Sequence, residues 1–164
     1  MRRKFAARCW ILRILKHAGI SSRSLVEVYC LLVRPILEYP SNVFHSMLSK
    51  DLSESLERLQ RIALKSIFGL NRSYESCLEE AAIPGQDSRR GELLESFTVK
   101  MSESPLFSAT WFPEKEASMM RRQDKYVQEF ANCQRLQDAP IYAMRRLLNE
   151  KLKKTPVSPV RLKS

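Results

Sequence analysis

Apolar residues recur at three- and four-residue intervals along most of this chain. No stretch sustains the strict alternation of a half-buried strand, so the pattern predicts helices. The first runs from about Lys4 to Ala18 and stops at Gly19, with Ala7, Trp10, Ile11, Ile14 and Ala18 forming the expected buried stripe. Ser21 or Ser22 caps a second helix with the stripe Leu25, Val28, Leu32 and Ile36. Pro35 has no amide hydrogen and is expected to kink or split that helix, and Pro40 stops it near Tyr39. Asp51 and Glu54 read as a capping pair for a third helix, which is lined by Leu52, Leu56, Leu59, Ala63 and Ile67 and ended by Gly69. A short helix follows over Ser73–Ala82, ended by Pro84-Gly85. Another runs from near Asp87 to about Met101 and buries Leu94, Phe97 and Met101.

Ser104-Pro105 marks the expected domain boundary, giving a helical domain over 1–104 and a looser helical segment over 105–164. Pro113 is well placed to open a helix over Glu114–Ala131. A last helix is expected from Pro140 to about Lys153, followed by a disordered tail containing Pro156 and Pro159. The fold class that follows is all-α, an irregular bundle of about five to seven helices. Only four glycines in 164 residues agree with helix over sheet.

Charge adds a polarity that the periodicity does not contain. Of a net +10, residues 1–50 carry nine Lys/Arg against two acids and residues 139–164 carry seven against one, while 51–138 hold twelve against fifteen. Basic ends suit a polyanion, either nucleic acid or an anionic surface. The apolar run near the N-terminus is broken by Arg13 and Lys16 and is too short for a membrane span, so no membrane partner is expected. Residues 1–26 contain no acid, several Arg and several Ser, which is also how a mitochondrial transit peptide reads. Cys9, Cys30, Cys77 and Cys133 form no C-x-x-C pair, and with His17 and His45 alone no zinc-site spacing arises. Scattered thiols fit an intracellular compartment, nuclear or cytoplasmic, without choosing between them.

Candidate chemistry is sparse. Two-metal phosphoryl transfer needs clustered carboxylates. Here the four Asp residues, Asp51, Asp87, Asp124 and Asp138, are dispersed, and no Walker-type loop or nucleophile signature is present. No catalytic residue, cofactor or metal is therefore expected. At ~100° per residue, Arg58, Arg61 and Lys65 share one face of the third helix, nearly opposite its apolar stripe. Such a face suits a phosphate backbone, but Glu54–Arg58 and Glu57–Arg61 are also i,i+4 pairs that would partly neutralise it as ordinary solvated surface. Arg89 and Arg90 open a helix whose N-terminus favours anions, so they form either a phosphate site or a surface pair balanced by Glu92. Arg8, Arg13 and Lys16 surround the first helix rather than lining one side. Arg34 is expected in a local ion pair with Glu38, and His45 in a packing or hydrogen-bonding role.

The ordered series Val28-Tyr29, Leu32-Val33-Arg34-Pro35-Ile36-Leu37-Glu38-Tyr39, Val43-Phe44-His45, Leu56 to Gly69, Ser73-Tyr74-Glu75, Ile83-Pro84 and Arg89-Arg90-Gly91-Glu92 carries a resemblance. It resembles the region just downstream of the palm in reverse transcriptases of non-LTR (LINE-like, jockey-type) retrotransposons. The likeness covers residues 4 to 103, with a fainter echo at Ala139-Pro140-Ile141 and Leu147-Leu148-Asn149. It implies a thumb-like helical domain and part of the following connector, with the polymerase palm and its Mg²⁺-binding carboxylates lying upstream in the family. The implied partners are nucleic acid, gripped by its backbone through Arg58, Arg61, Lys65, Arg89, Arg90, Arg8, Arg13 and Lys16, and the palm itself. The chain departs from the family at Pro40 and Asn42, commonly Ala and Pro, at Phe44, usually Trp, and at Gln86, commonly Leu. A polar Gln86 in a core position is costly without a partner. Such drift fits a truncated or decayed copy without polymerase activity. The rival expectation is a basic helical module that docks proteins through Trp10, Ile11 and Ile14.

Overall fold

The computed structural model describes residues 2–39, 41–115, 124–128 and 133–154. Among these the secondary structure is helical: α1 (Arg2–His17), α2 (Ser22–Val28), a π-helical turn (Tyr29–Val33), α3 (Arg34–Glu38), α4 (Ser41–Phe44), a 3₁₀ turn (His45–Met47), α5 (Lys50–Phe68), α6 (Tyr74–Ala81), α7 (Gln86–Glu103), α8 (Pro105–Trp111), α9 (Gln134–Gln137) and α10 (Pro140–Lys154). No strand occurs among the described residues; a single antiparallel bridge joins Glu114 and Tyr126. The protein is all-α, and no helix among the described residues is long and apolar enough to cross a membrane. Two compact units are present, 1–93 and 94–164, divided within α7. Ser104-Pro105, the boundary expected from sequence, separates α7 from α8, with Ser104 as N-cap and Pro105 in the first turn.

Helix ends in the first unit follow local rules. Gly19 and Gly69 adopt φ of 83° and 116°, a region open to glycine and costly for other residues, and α1 and α5 end just before them. The Ser21, Ser49 and Ser73 side chains accept from the amides of Ser24, Leu52 and Ser76, capping α2, α5 and α6. The cap of α5 is thus Ser49 rather than the expected Asp51, which sits in the first turn where its charge suits the helix dipole. At the end of α6 a non-glycine residue, Ala82, takes the left-handed conformation (φ 53°), and Ile83 N–H closes the turn onto the Leu78 carbonyl at 3.2 Å.

The core of this unit corrects two expected stripes. On α1 the buried residues are Phe5, Cys9 and Leu12, whereas Trp10, Ile11 and Ile14 are exposed. The helix is apolar on two sides and periodicity cannot choose between them. The next stripe is Leu25, Tyr29, Val33 and Leu37 instead of Leu25, Val28, Leu32 and Ile36; Leu32 is exposed. Four residues overshoot an α-helical turn by ~40°, so a four-residue repeat drifts off its face. The π turn absorbs that drift: Arg34 N–H reaches back five residues to the Tyr29 carbonyl just before Pro35, which has no N–H to give. The expected split at Pro35 takes this form. Against these stripes pack Leu56, Ala63, Leu64 and Ile67 of α5 and Tyr74 and Cys77 of α6.

A polar layer crosses this core. The Tyr29 hydroxyl donates to Gln60 Oε1 (3.1 Å), Gln60 Nε2 donates to the Pro84 carbonyl (3.1 Å), and Gln86 Nε2 donates to Gln60 Oε1. Gln60 and Gln86 are both fully buried. The partner that Gln86 needs in the core is therefore Gln60. Burial pushes the Tyr29 phenol far above its ordinary range, against the opposing pull of Arg34 and Gln86, so it stays a hydrogen-bond donor.

The second unit has a smaller core, Leu94, Phe112, Met144 and Leu148, with Phe97, Met101, Trp111, Tyr126 and Leu147 against it. The helix expected over Glu114–Ala131 is not formed where the chain is described. Residues 113–115 and 125–127 pair instead as short extended segments, Lys115 N–H to Lys125 O at 2.8 Å and Val127 N–H to Pro113 O at 2.9 Å. Side chains of α10 hold this irregular backbone. Arg145 donates to the carbonyls of Trp111 (2.7 Å) and Val127 (3.3 Å), and Asn149 accepts from Tyr126 N–H (3.0 Å) while donating to its carbonyl (3.2 Å). The tail expected to be disordered, from 155 on, lies outside the described residues.

Candidate nucleic-acid interface

Helix α5 positions the main candidates. Leu56, Gln60, Ala63, Leu64 and Ile67 fix one side in the core, which turns Arg58 and Arg61 to solvent and leaves Lys65 half-buried. Neither neutralising pair expected from the sequence is formed. Glu57 is directed inward: its carboxylate accepts from the Tyr74 hydroxyl and, at 3.0 Å, from the first backbone N–H of α7, at Gln86. An anion at a helix N-terminus satisfies donors that no intrahelical carbonyl reaches. Gly85 leaves room for it, since a Cβ there would lie 2.9 Å from Glu57 Oε1. Burial and the adjoining Glu57 hold the Tyr74 phenol protonated, far above its ordinary range. Arg61, freed of Glu57, stacks its guanidinium 4.9 Å from the centre of the Tyr74 ring. Arg58 and Lys65 have no acidic partner among the described residues.

The remaining candidates divide. Arg13 and Arg58 both line a groove between α1 and α5, and Arg61 and Lys65 follow Arg58 along α5. Lys16 donates to the Ser66 carbonyl near the end of α5 (3.0 Å), and Arg8 donates to the Leu32 carbonyl in the π turn; both fasten α1 to its neighbours. Arg89 bridges Glu38 (3.4 Å) and Glu92 (3.2 Å).

Arg90 does not open toward solvent as a phosphate site would require. It is fully buried, with Nη2 on Ser53 Oγ at 2.6 Å and Asp87 Oδ1 at 3.0 Å. In sequence it reads as a surface cation in the first turn of a helix, but α5 covers that turn. Arg34 forms the expected ion pair with Glu38 (2.6 Å). Burial chiefly, and then the Arg90 charge, lower the His45 pKa, with Asp87 opposing, so His45 favours the neutral form.

Sequence reasoning missed Tyr74 as the platform under Arg61, and Glu57 as a cap on a helix distant in sequence. The one advance signal was Gln86 in an otherwise apolar position, which asks for a buried polar partner. Among the described residues no group of three or more His, Cys, Asp or Glu is placed to hold a metal ion. All four cysteines are free, and burial raises the Cys9 thiol to about 11. No family model, curated protein or solved structure matches the chain.

Proposed function

We propose that this chain binds nucleic acid through the phosphate backbone without reading sequence, as the thumb-like post-palm region of a retrotransposon reverse transcriptase that it resembles. In this reading it is a piece of an RNA-directed DNA polymerase that does not itself polymerise, and the duplex lies along the outer side of α5. The observation that supports it most is the withdrawal of Glu57 into the interior, which frees Arg61 of its expected partner, while Arg58 and the half-buried Lys65 on the same side of α5 have no acidic partner among the described residues. Unpaired cations on a rigid helix displace counterions from a phosphate chain and contact no base edge.

The test is a salt titration of binding to several unrelated duplexes and RNA–DNA hybrids. Four engaged cations give a slope of roughly −3 to −4 in log affinity against log salt. Replacing Arg58, Arg61 and Lys65 with Gln flattens it by about 2 to 3 without changing preference among sequences. A shallow slope, or one duplex preferred a hundredfold, overturns the reading. Primer extension on an RNA template with Mg²⁺ gives no product; templated extension that survives removal of contaminating polymerases also overturns it.

A second reading, protein docking, is favoured by one observation: Trp10 is 61% and Ile14 44% exposed on the outer side of α1. It expects a compact, cooperatively unfolding monomer by size-exclusion chromatography and denaturation, whereas the fragment reading expects oligomers or aggregates of the isolated chain.

A further inference from the structure

The groove between α1 and α5 has a volume of about 410 Å³. It is lined by the apolar Phe5 and Cys9 from α1 and Leu59 and Ile62 from α5, together with Arg13 and Arg58. Ile62 is 48% exposed, as Leu52 is at 58%, whereas Leu56, Leu64 and Ile67 of the same helix are buried. Neither arginine has an acidic partner among the described residues. An apolar trough along two helices, lined also by unpaired cations, has the chemistry of helix-in-groove recognition.

We infer that this groove receives an amphipathic α-helix of a partner protein, with aliphatic side chains on its inner face and glutamate or aspartate on both flanks. The occupant is acidic because the two guanidinium groups that line the groove have no acidic partner among the described residues and are complementary to carboxylates. It is not a second copy of this chain. With a net charge of +10, the same arginines would face each other, and the acidic helix α6 already buries Tyr74 and Cys77 in its own core. Nor is it a single nucleic-acid strand, whose bases stack on open aromatic faces. The one ring in the groove, Phe5, is 3% exposed, and its neighbours are aliphatic or sulfur-bearing. Because Arg13 and Arg58 are also among the cations proposed to meet phosphate, an acidic helix seated here excludes a phosphate chain from both residues. The inference stands on the groove's own chemistry and does not require the nucleic-acid reading.

The experiment uses the full chain and two fluorescein-labelled synthetic helices that share a leucine stripe at i, i+3, i+4 and i+7, one flanked by Glu and the other by Lys. Fluorescence anisotropy at moderate salt should show the Glu-flanked helix binding roughly threefold to thirtyfold tighter, the range that two exposed charge pairs supply. R13E/R58E should reverse the preference with helical circular dichroism unchanged, and Ile62→Glu should weaken the Glu-flanked helix further. If R13E/R58E loses its helical signal, R58E alone carries the test, with the preference falling by a factor of two or more. Equal binding of the two helices, a preference untouched by charge reversal, or failure of the Glu-flanked helix to bind the unmodified chain overturns the proposal.

Discussion

The two compact units solve the same problem, the pairing of buried polar groups, by opposite means. In 1–93 the backbone is nearly all helical and needs side chains mainly at its turns and helix ends, so the buried Tyr29, Gln60, Gln86 and Arg90 turn largely to other side chains: Tyr29 and Gln86 to Gln60, Arg90 to Ser53 and Asp87. In 94–164 part of the backbone is irregular, and α10 spends its polar side chains on carbonyls and an amide of that segment. Regular structure frees side chains to specify how helices pack; irregular structure consumes them to complete the backbone.

The largest effect should come from Arg145→Ala. It leaves the Trp111 and Val127 carbonyls without their donor and removes a buried, packed side chain, at a cost of about 3 to 5 kcal/mol. Denaturant unfolding measures the loss. Amide exchange should rise first at Lys115 and Val127, whose hydrogen bonds depend on the placement of the segment. Uniform loosening of both units, with no early exchange at those amides, would erase the contrast between them.

Gln60→Ala is the matching break in the first unit. It strands the Tyr29 hydroxyl, the Pro84 carbonyl and the Gln86 amide at once, for about 2 to 4 kcal/mol. Gln60→Ala with Gln86→Leu should recover part of that loss, because removing both partners costs less than orphaning one. If the double variant is worse than the single, the layer is not a mutual network.

Ala82→Gly sharpens the comparison from the stabilising side. The left-handed turn that strains alanine suits glycine, and the variant should gain about 0.5 to 1 kcal/mol, read as a raised Tm. No gain would mean that the turn carries no strain.

The smallest effect concerns pH. The folded-state pKa of His45 lies below 6.5, so the unfolded chain binds its proton more readily. The stability held by neutral His45 is complete above about 6.5 and is lost as pH falls through the lower folded value. His45→Gln should flatten that decline in the first unit; an unchanged profile would assign the decline to other groups.

Much of the fold was legible in the sequence, but unevenly. Termini were readable wherever one residue decides the matter locally: Gly19 and Gly69 after α1 and α5, Ser73 before α6, Pro140 at the start of α10. Facing was not readable on α1, since two apolar sides compete and only the partners at Leu25 to Leu37 and on α5 choose between them. The candidate site was half legible. The cationic side of α5 follows from periodicity. The redirection of Glu57 and the burial of Arg90 do not, because each depends on a helix 29 to 37 residues away along the chain.

The π turn at 29–33 has a consequence for how this chain tolerates change in length. It is one extra residue stored inside a helix, and its cost is offset because Pro35 has no hydrogen bond to lose there. Deleting a single residue between Tyr29 and Val33 would remove the bulge and restore regular α geometry, leaving Leu25 and Leu37 within ~20° of one face. The helix would survive such a deletion with its core register kept, whereas one more residue would turn Leu25 by ~100° relative to Leu37. Length is therefore constrained here in one direction: loss of a residue discharges the bulge, and gain of one rotates the core face.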